Sequence, residues 1–121
     1  MNYDDNNIFA KILRGEIPCS KIYEDNYVLS FYDINPQKKI HALVIPKGKY
    51  IDLDDFNTNA SNEEIIGLMK GITAVAKKLG ISSIDGKGYR ALANISDYGG
   101  QEVPHLHFHL FGGEKVGKMV S

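Results

Sequence analysis

The chain has no tryptophan, a single cysteine, only 4 prolines and almost no imbalance of charge, and each shortage closes off a class of protein. Cys19 has no second cysteine to bridge to, and metal sites built on cysteine usually begin with a pair, so it reads as a buried or half-buried spectator. With 14 Lys and Arg against 15 Asp and Glu, the net charge of -1 offers no clustered basic face for nucleic acid or an anionic membrane. The basic pair Lys38-Lys39 reads as a solvated turn. No stretch approaches the ~18 apolar residues of a spanning helix. The start, MNYDDNNIFA, is polar and acidic and lacks the basic-then-apolar order of an export signal. A soluble, unexported, cytoplasmic protein that binds neither nucleic acid nor membrane is therefore expected. No repeat, low-complexity segment or linker divides the 121 residues, so residues 1–121 are expected to form one domain.

What is present is strongly patterned. Ile65, Leu68, Met69, Ile72, Val75, Ala76 and Leu79 recur at the spacing of one helical face, predicting a long helix whose apolar stripe is core. Ser61-Asn62-Glu63-Glu64 fits a capping box at its start, and Lys77, Lys78 and Gly80 fit its end. A shorter helix is expected over residues 7–14, with Ile8, Phe9 and Ile12 on one face. Residues 51–60 carry Asp52, Asp54, Asp55, Asn57 and Asn59 without the glycine and closing glutamate of an EF-hand, and read as a solvated loop. Strands are expected at 20–24, 27–32, 40–45, 89–95 and 104–111. Short turns between strands, with one long helix inserted between the third and fourth, describe an α+β domain with a mostly antiparallel sheet of about five strands.

Three of the 4 histidines fall at alternate positions of Pro104-His105-Leu106-His107-Phe108-His109-Leu110. Strict alternation, the Gly99-Gly100 and Gly112-Gly113 pairs on either side, and a proline at the first position favour a strand. Leu106, Phe108 and Leu110 then face the core and the three imidazoles line the opposite face. A merely solvated row would be an odd use of three groups that titrate near neutrality. A zinc site is chemically reasonable, but His105 and His109 would stand ~13 Å apart along a strand, and zinc to nitrogen distances are ~2.0 Å. At most two of them together with His41 could share an ion. Catalysis uses the row differently. A central neutral imidazole is a nucleophile suited to two-step displacement at phosphorus, and its neighbours can donate hydrogen bonds to phosphoryl oxygens. No P-loop or GxGxxG is present to cradle phosphate, so histidines and amides of the Gly99-Gly100 turn would serve.

The stretch HLHFHLFGG, preceded by GGQEVP, resembles the signature of the histidine-triad family of nucleotide hydrolases and transferases. NIFAKILRGEIPCSKIYED, FYDINPQKKIHALVIPK and ALANISDYGGQ are similar to the nucleotide-binding branch of that family. The resemblance covers essentially residues 7–113 and leaves a short tail, 114–121. It implies that His107 attacks the α-phosphorus of a purine nucleoside monophosphate derivative to give a nucleotidyl-histidine that water resolves. His105 and His109 would orient it and contact phosphate, and His41 would support the proton network. Asp33 would bind the ribose hydroxyls, and Asn94 and Gln101 would lie on the phosphate side. Ile8, Phe9, Ile12, Phe31 and Ile34 would wall the base pocket. Histidine at 109, where the sugar-phosphate transferases carry glutamine, points to water as acceptor. A homodimer with no metal and no other cofactor is implied. Asn7 and Ala10 occupy the places of the cysteine pair found in zinc-binding members. Glu102 stands where animal members have a hydroxyl residue, and there it either donates a proton to a leaving amine or faces away. A nucleotide-binding regulatory module with incidental hydrolysis is the alternative.

Overall fold

A computed structural model describes residues 2–120. Eight elements follow in chain order: α1 (Ile8–Leu13), β1 (Lys21–Glu24), β2 (Val28–Tyr32), β3 (Ile40–Pro46), α2 (Leu53–Asn59), α3 (Asn62–Lys78), β4 (Arg90–Leu92) and β5 (Phe108–Gly112). The five strands form one sheet in the order β1-β2-β3-β5-β4, with every neighbouring pair antiparallel. The α+β architecture is the one the sequence implies, with three helices where two were expected.

The helix ends follow from local chemistry. Asn7 caps α1 by accepting from the Ala10 amide at 2.9 Å. Ser61 and Glu64 close both halves of a capping box on α3, and Leu79 caps its other end before Gly80, whose φ of +73° ends the helix. The expected loop at 51–60 is instead mostly α2. Asp52 accepts from the Asp55 amide at 2.8 Å as N-cap, Asp54 and Asp55 complement the helix dipole, and Phe56 is wholly buried. The carboxylates that suggested solvation are a helix start, and one aromatic anchor holds the turn to the core.

Alternation along the strands divides the sheet into two faces. Val28, Ala42, Val44 and Leu110 point to one side and pack with Leu68, Ile72 and Val75 of α3, and with Phe56 and Leu106. Met69, expected in that stripe, is instead exposed at the margin of the helix. The helix comes close because Gly67 and Gly71 face β2. A Cβ on Gly71 would sit 2.9 Å from a methyl of Val28, and one on Gly67 would overlap the Tyr27 ring. The other face carries Leu29, Phe31, Leu43 and Ile45, covered by Phe9 of α1. His41 alternates with Leu43 on β3 and His109 with Phe111 on β5, and the pairings His41↔Phe111 and Leu43↔His109 place both imidazoles on this second face.

Candidate active site

The three alternating histidines do not share one regular strand. β5 begins at Phe108, so only His109 lies in the ladder, while residues 104–107 run outside it. Pro104 has no amide to pair, the His105 amide bonds to the Val103 carbonyl at 2.9 Å, and the Leu106 amide bonds to the Tyr50 carbonyl at 2.9 Å. β4 is likewise trimmed to three residues from the seven expected. The alternation survives in burial: Leu106 and Leu110 are core, and Phe108 packs against it. The opposite side is far from solvated, with His105 fully buried, His107 6% exposed and His41 2% exposed.

Burial of this kind is tolerated because each ring has partners, and those partners fix where the protons sit. His105 places Nε2 2.9 Å from the Pro46 carbonyl oxygen. A carbonyl only accepts, so Nε2 carries the hydrogen and Nδ1 keeps a lone pair, which accepts from the Tyr3 hydroxyl at 2.6 Å. His107 places Nδ1 2.7 Å from the carbonyl oxygen of His105. Its hydrogen is therefore on Nδ1, and the lone pair is on Nε2. Burial holds both rings neutral by pushing them below the ordinary 6.5, His105 to about 4. Phe9 packs its edge against both, with ring centroids 4.9 Å from His107 and 6.3 Å from His105.

A second chain of hydrogen bonds runs through His41. The Gln37 amide, necessarily a donor, lies 3.2 Å from His41 Nδ1. The hydrogen of neutral His41 is thus on Nε2, which lies 2.9 Å from His109 Nδ1 and 3.4 Å from Asp33 Oδ2. His109 accepts through Nδ1 and keeps its own hydrogen on Nε2. Burial, helped by the neighbouring His107 and His41, lowers His109 to about 4; burial also lowers His41, against the pull of Asp33. The rings of His107 and His109 meet edge to face at 5.1 Å, which links the two chains. Asp33, His41 and His109 bring one donor atom each within 4.8 Å of one another, the one such cluster among the described residues that includes any of the four histidines. A metal on His41 would need the Nε2 lone pair, and the Gln37 amide keeps a hydrogen there. The arrangement favours fixed tautomers of His41 and His109 over a metal site.

The remaining residues singled out in the sequence divide. Phe31 is buried beside Phe9 and Ile12 is half-buried against the same cluster, whereas Ile8 is 42% and Ile34 86% exposed. Asp33 follows β2 with its amide on the His41 carbonyl and Oδ1 accepting from the Asn35 amide, leaving Oδ2 toward His41. Asn94 is half-buried beyond β4. Gln101 spends both amide hydrogens on the carbonyls of Ile51 and Val103, and its oxygen accepts from the Ser96 amide, so it braces three loops. Glu102 is exposed and lines a recess of about 280 Å³ with Ile51, Asp52, Ser96, Asp97, Gln101 and Pro104. Cys19 is half-buried, and burial raises its thiol, as suits a spectator. Tyr3 is the residue sequence reasoning missed. It sits in a polar, acidic run with no periodicity, and nothing local signals a contact 102 residues away.

Similarity to known proteins shows the family. The sequence model of the HIT domain matches residues 14–116. An uncharacterised HIT-like protein from Azospirillum brasilense is 50% identical over 98% of this chain and 95% of its own. A purine nucleoside phosphoramidase from Escherichia coli is 40% identical over 97% of this chain and 95% of its own. The solved structure of a HIT family hydrolase from Clostridium thermocellum superposes with a TM-score of 0.85 at 36% identity, covering 98% of this chain and 99% of the other. No described helix is long and apolar enough to cross a membrane. The pairing of a family match over most of the length with near end-to-end relatives shows that this chain belongs to the HIT family, alongside proteins named as hydrolases.

Proposed function

We propose that the chain hydrolyses purine nucleoside 5′-phosphoramidates, or related nucleoside monophosphate esters and anhydrides, through a nucleotidyl-histidine on His107. The observation that carries this reading is the hydrogen bond from His107 Nδ1 to the His105 carbonyl, which leaves the Nε2 lone pair as the reactive one. Nε2 attacks the α-phosphorus, and the bond to the leaving amine breaks as its nitrogen takes a proton from solvent. Water then attacks the same phosphorus and the bond to Nε2 breaks; one hydrogen of that water stays on the nucleoside monophosphate and the other returns to solvent, balancing the proton the amine took. His109 supports the phosphoryl charge with its Nε2 hydrogen, kept in that tautomer by the bond from His41 to its Nδ1, and Asp33 is assigned to the ribose. Phe9, Phe31, Ile8, Ile12 and Ile34 are assigned to the base side, Asn94 and Gln101 to the phosphate side, and Glu102 to the leaving group. The name of the Escherichia coli relative supports the substrate class. The working unit is proposed to be a homodimer, on the family resemblance, and light scattering in solution checks it.

Metal-free protein and its His107→Ala variant, incubated with adenosine 5′-phosphoramidate, test the reading. Turnover is expected to fall at least about 10³-fold in the variant with the fold intact by circular dichroism. Equal turnover would remove His107 as nucleophile.

A further inference from the structure

Tyr3 lies outside every element of the fold, yet its hydroxyl makes the shortest bond to any triad ring, 2.6 Å to His105 Nδ1. We propose that Tyr3 is a positioning residue for the triad: its phenol fixes the His105 ring from outside the sheet, and through His105 it aims Nε2 of His107. The proposal rests on the reading of His107 as the nucleophile.

The path consists of three bonds. The phenol donates to His105 Nδ1, the same ring donates from Nε2 to the Pro46 carbonyl at 2.9 Å, and the backbone carbonyl of His105 accepts from His107 Nδ1 at 2.7 Å. His105 is thus clamped at both nitrogens, between the end of β3 and the N-terminal segment. Its carbonyl, one covalent framework away from the ring, is the one group among the described residues that fixes the tautomer of His107. Burial raises the Tyr3 hydroxyl above its ordinary value, so it stays a donor throughout the neutral range. The Tyr3 ring also meets His105 edge-on, with centroids 5.6 Å apart and planes at 74°.

The residues that follow Tyr3 are tied down, so the phenol arrives at a set place. The Asn7 amide and its side-chain Nδ2 both donate to the Asp4 carbonyl, and the Asn6 amide donates to Asp4 Oδ1. Asp5 pairs with Lys49 at 2.8 Å, and its carbonyl accepts from Arg14 at 2.8 Å. Removing the hydroxyl leaves a buried imidazole nitrogen without a partner. The ring then flips or admits water, and either response moves the carbonyl that holds His107. Small misplacements of a reacting group are costly, because the nucleophile must approach phosphorus in line.

The test uses the full chain with Tyr3→Phe. The kcat and KM for adenosine 5′-phosphoramidate are measured separately, and the ring nitrogens of the histidines are followed by ¹⁵N NMR. About a tenfold fall in kcat is expected, with KM changed less than about twofold, a shift of the His105 Nδ1 resonance toward a free lone pair, and faster exchange of the His107 Nδ1 hydrogen. Unchanged kcat, or a lowered kcat with His105 and His107 resonances unmoved, overturns the proposal. Should the wild-type chain fail to turn over the phosphoramidate, the proposed function fails by itself. The His107 resonances then decide the positioning role: movement in Tyr3→Phe supports it and constancy overturns it. Site-specific 3-fluorotyrosine at position 3 guards against a folding defect in the phenylalanine variant. This stronger donor is expected to move the His105 resonance in the direction opposite to Tyr3→Phe, and no movement overturns the proposal.

Discussion

The two faces of the sheet are made by alternate residues of the same strands, and they differ in what covers them. On one side the 17-residue helix α3 seals Val28, Ala42, Val44 and Leu110 with aliphatic side chains. Ser30, whose hydroxyl is buried without a partner among the described residues, is the polar exception on that side. On the other side the six-residue α1 and the N-terminal segment cover Leu29, Phe31, Leu43 and Ile45 but leave His109 and Asp33 half-buried. The thinner cover leaves room for chemistry, and the polar groups beneath it persist because nearly every ring nitrogen has a specific partner. The first face is held by area removed from water, the second by donors and acceptors that match.

Substitutions should separate the two faces. The largest effect on stability is expected on the helix side. Leu68→Ala, at a fully buried position, should cost about 2–5 kcal/mol in urea unfolding while turnover per folded molecule stays the same. A comparable loss of kcat would break the division of labour.

Acid should act on the histidine side. His105 and His109 titrate near 4 in the folded chain against an ordinary 6.5, so between those values the unfolded chain binds protons that the folded one refuses. Stability is therefore full above about pH 6.5 and falls as pH drops toward 4, by on the order of 3 kcal/mol for the deeply buried His105. Urea midpoints measured from pH 7.5 to 4 check this, and a flat profile would mean the rings are charged or exposed. The acid limb of kcat/KM should likewise lie below pH 6.5, because burial keeps His107 neutral. A smaller effect is expected from Gly71→Ala, where the new methyl meets Val28 at 2.9 Å. Overpacking of about 1–3 kcal/mol is partly offset by helix propensity, for a net loss of about 1 kcal/mol without loss of activity. Calorimetry measures it, and a stabilised variant would show that α3 can lift off the sheet.

Much of this contrast was legible in the chain. The capping box at Ser61 and Glu64, the short helix after Asn7, and the alternation around Leu106 and Leu110 all depend on neighbours within a turn or two. The nomination of His41 and Asp33 came instead from resemblance, and the fold brings the two within 3.4 Å of each other. The acidic run at 52–55 misled because a helix start and a solvated loop share a composition, and only a buried site for Phe56 distinguishes them. Met69 misled because a stripe that is apolar on paper is wider than the strip of helix the sheet can cover. The strand was drawn too long at its start because alternation records which side a residue faces, not whether its amide finds a ladder partner.

The sequence by itself determined which side chains share a face, where α1 and α3 begin and end, and that three imidazoles stand in alternation, since these follow from local geometry. Only the tertiary structure decided which nitrogen of each ring carries the hydrogen. The Pro46 carbonyl is 59 residues from His105, His41 is 68 from His109, and Tyr3 is 102 from His105. A proton's place on an imidazole is set by whichever donor or acceptor touches it, and those partners meet only when the chain has folded.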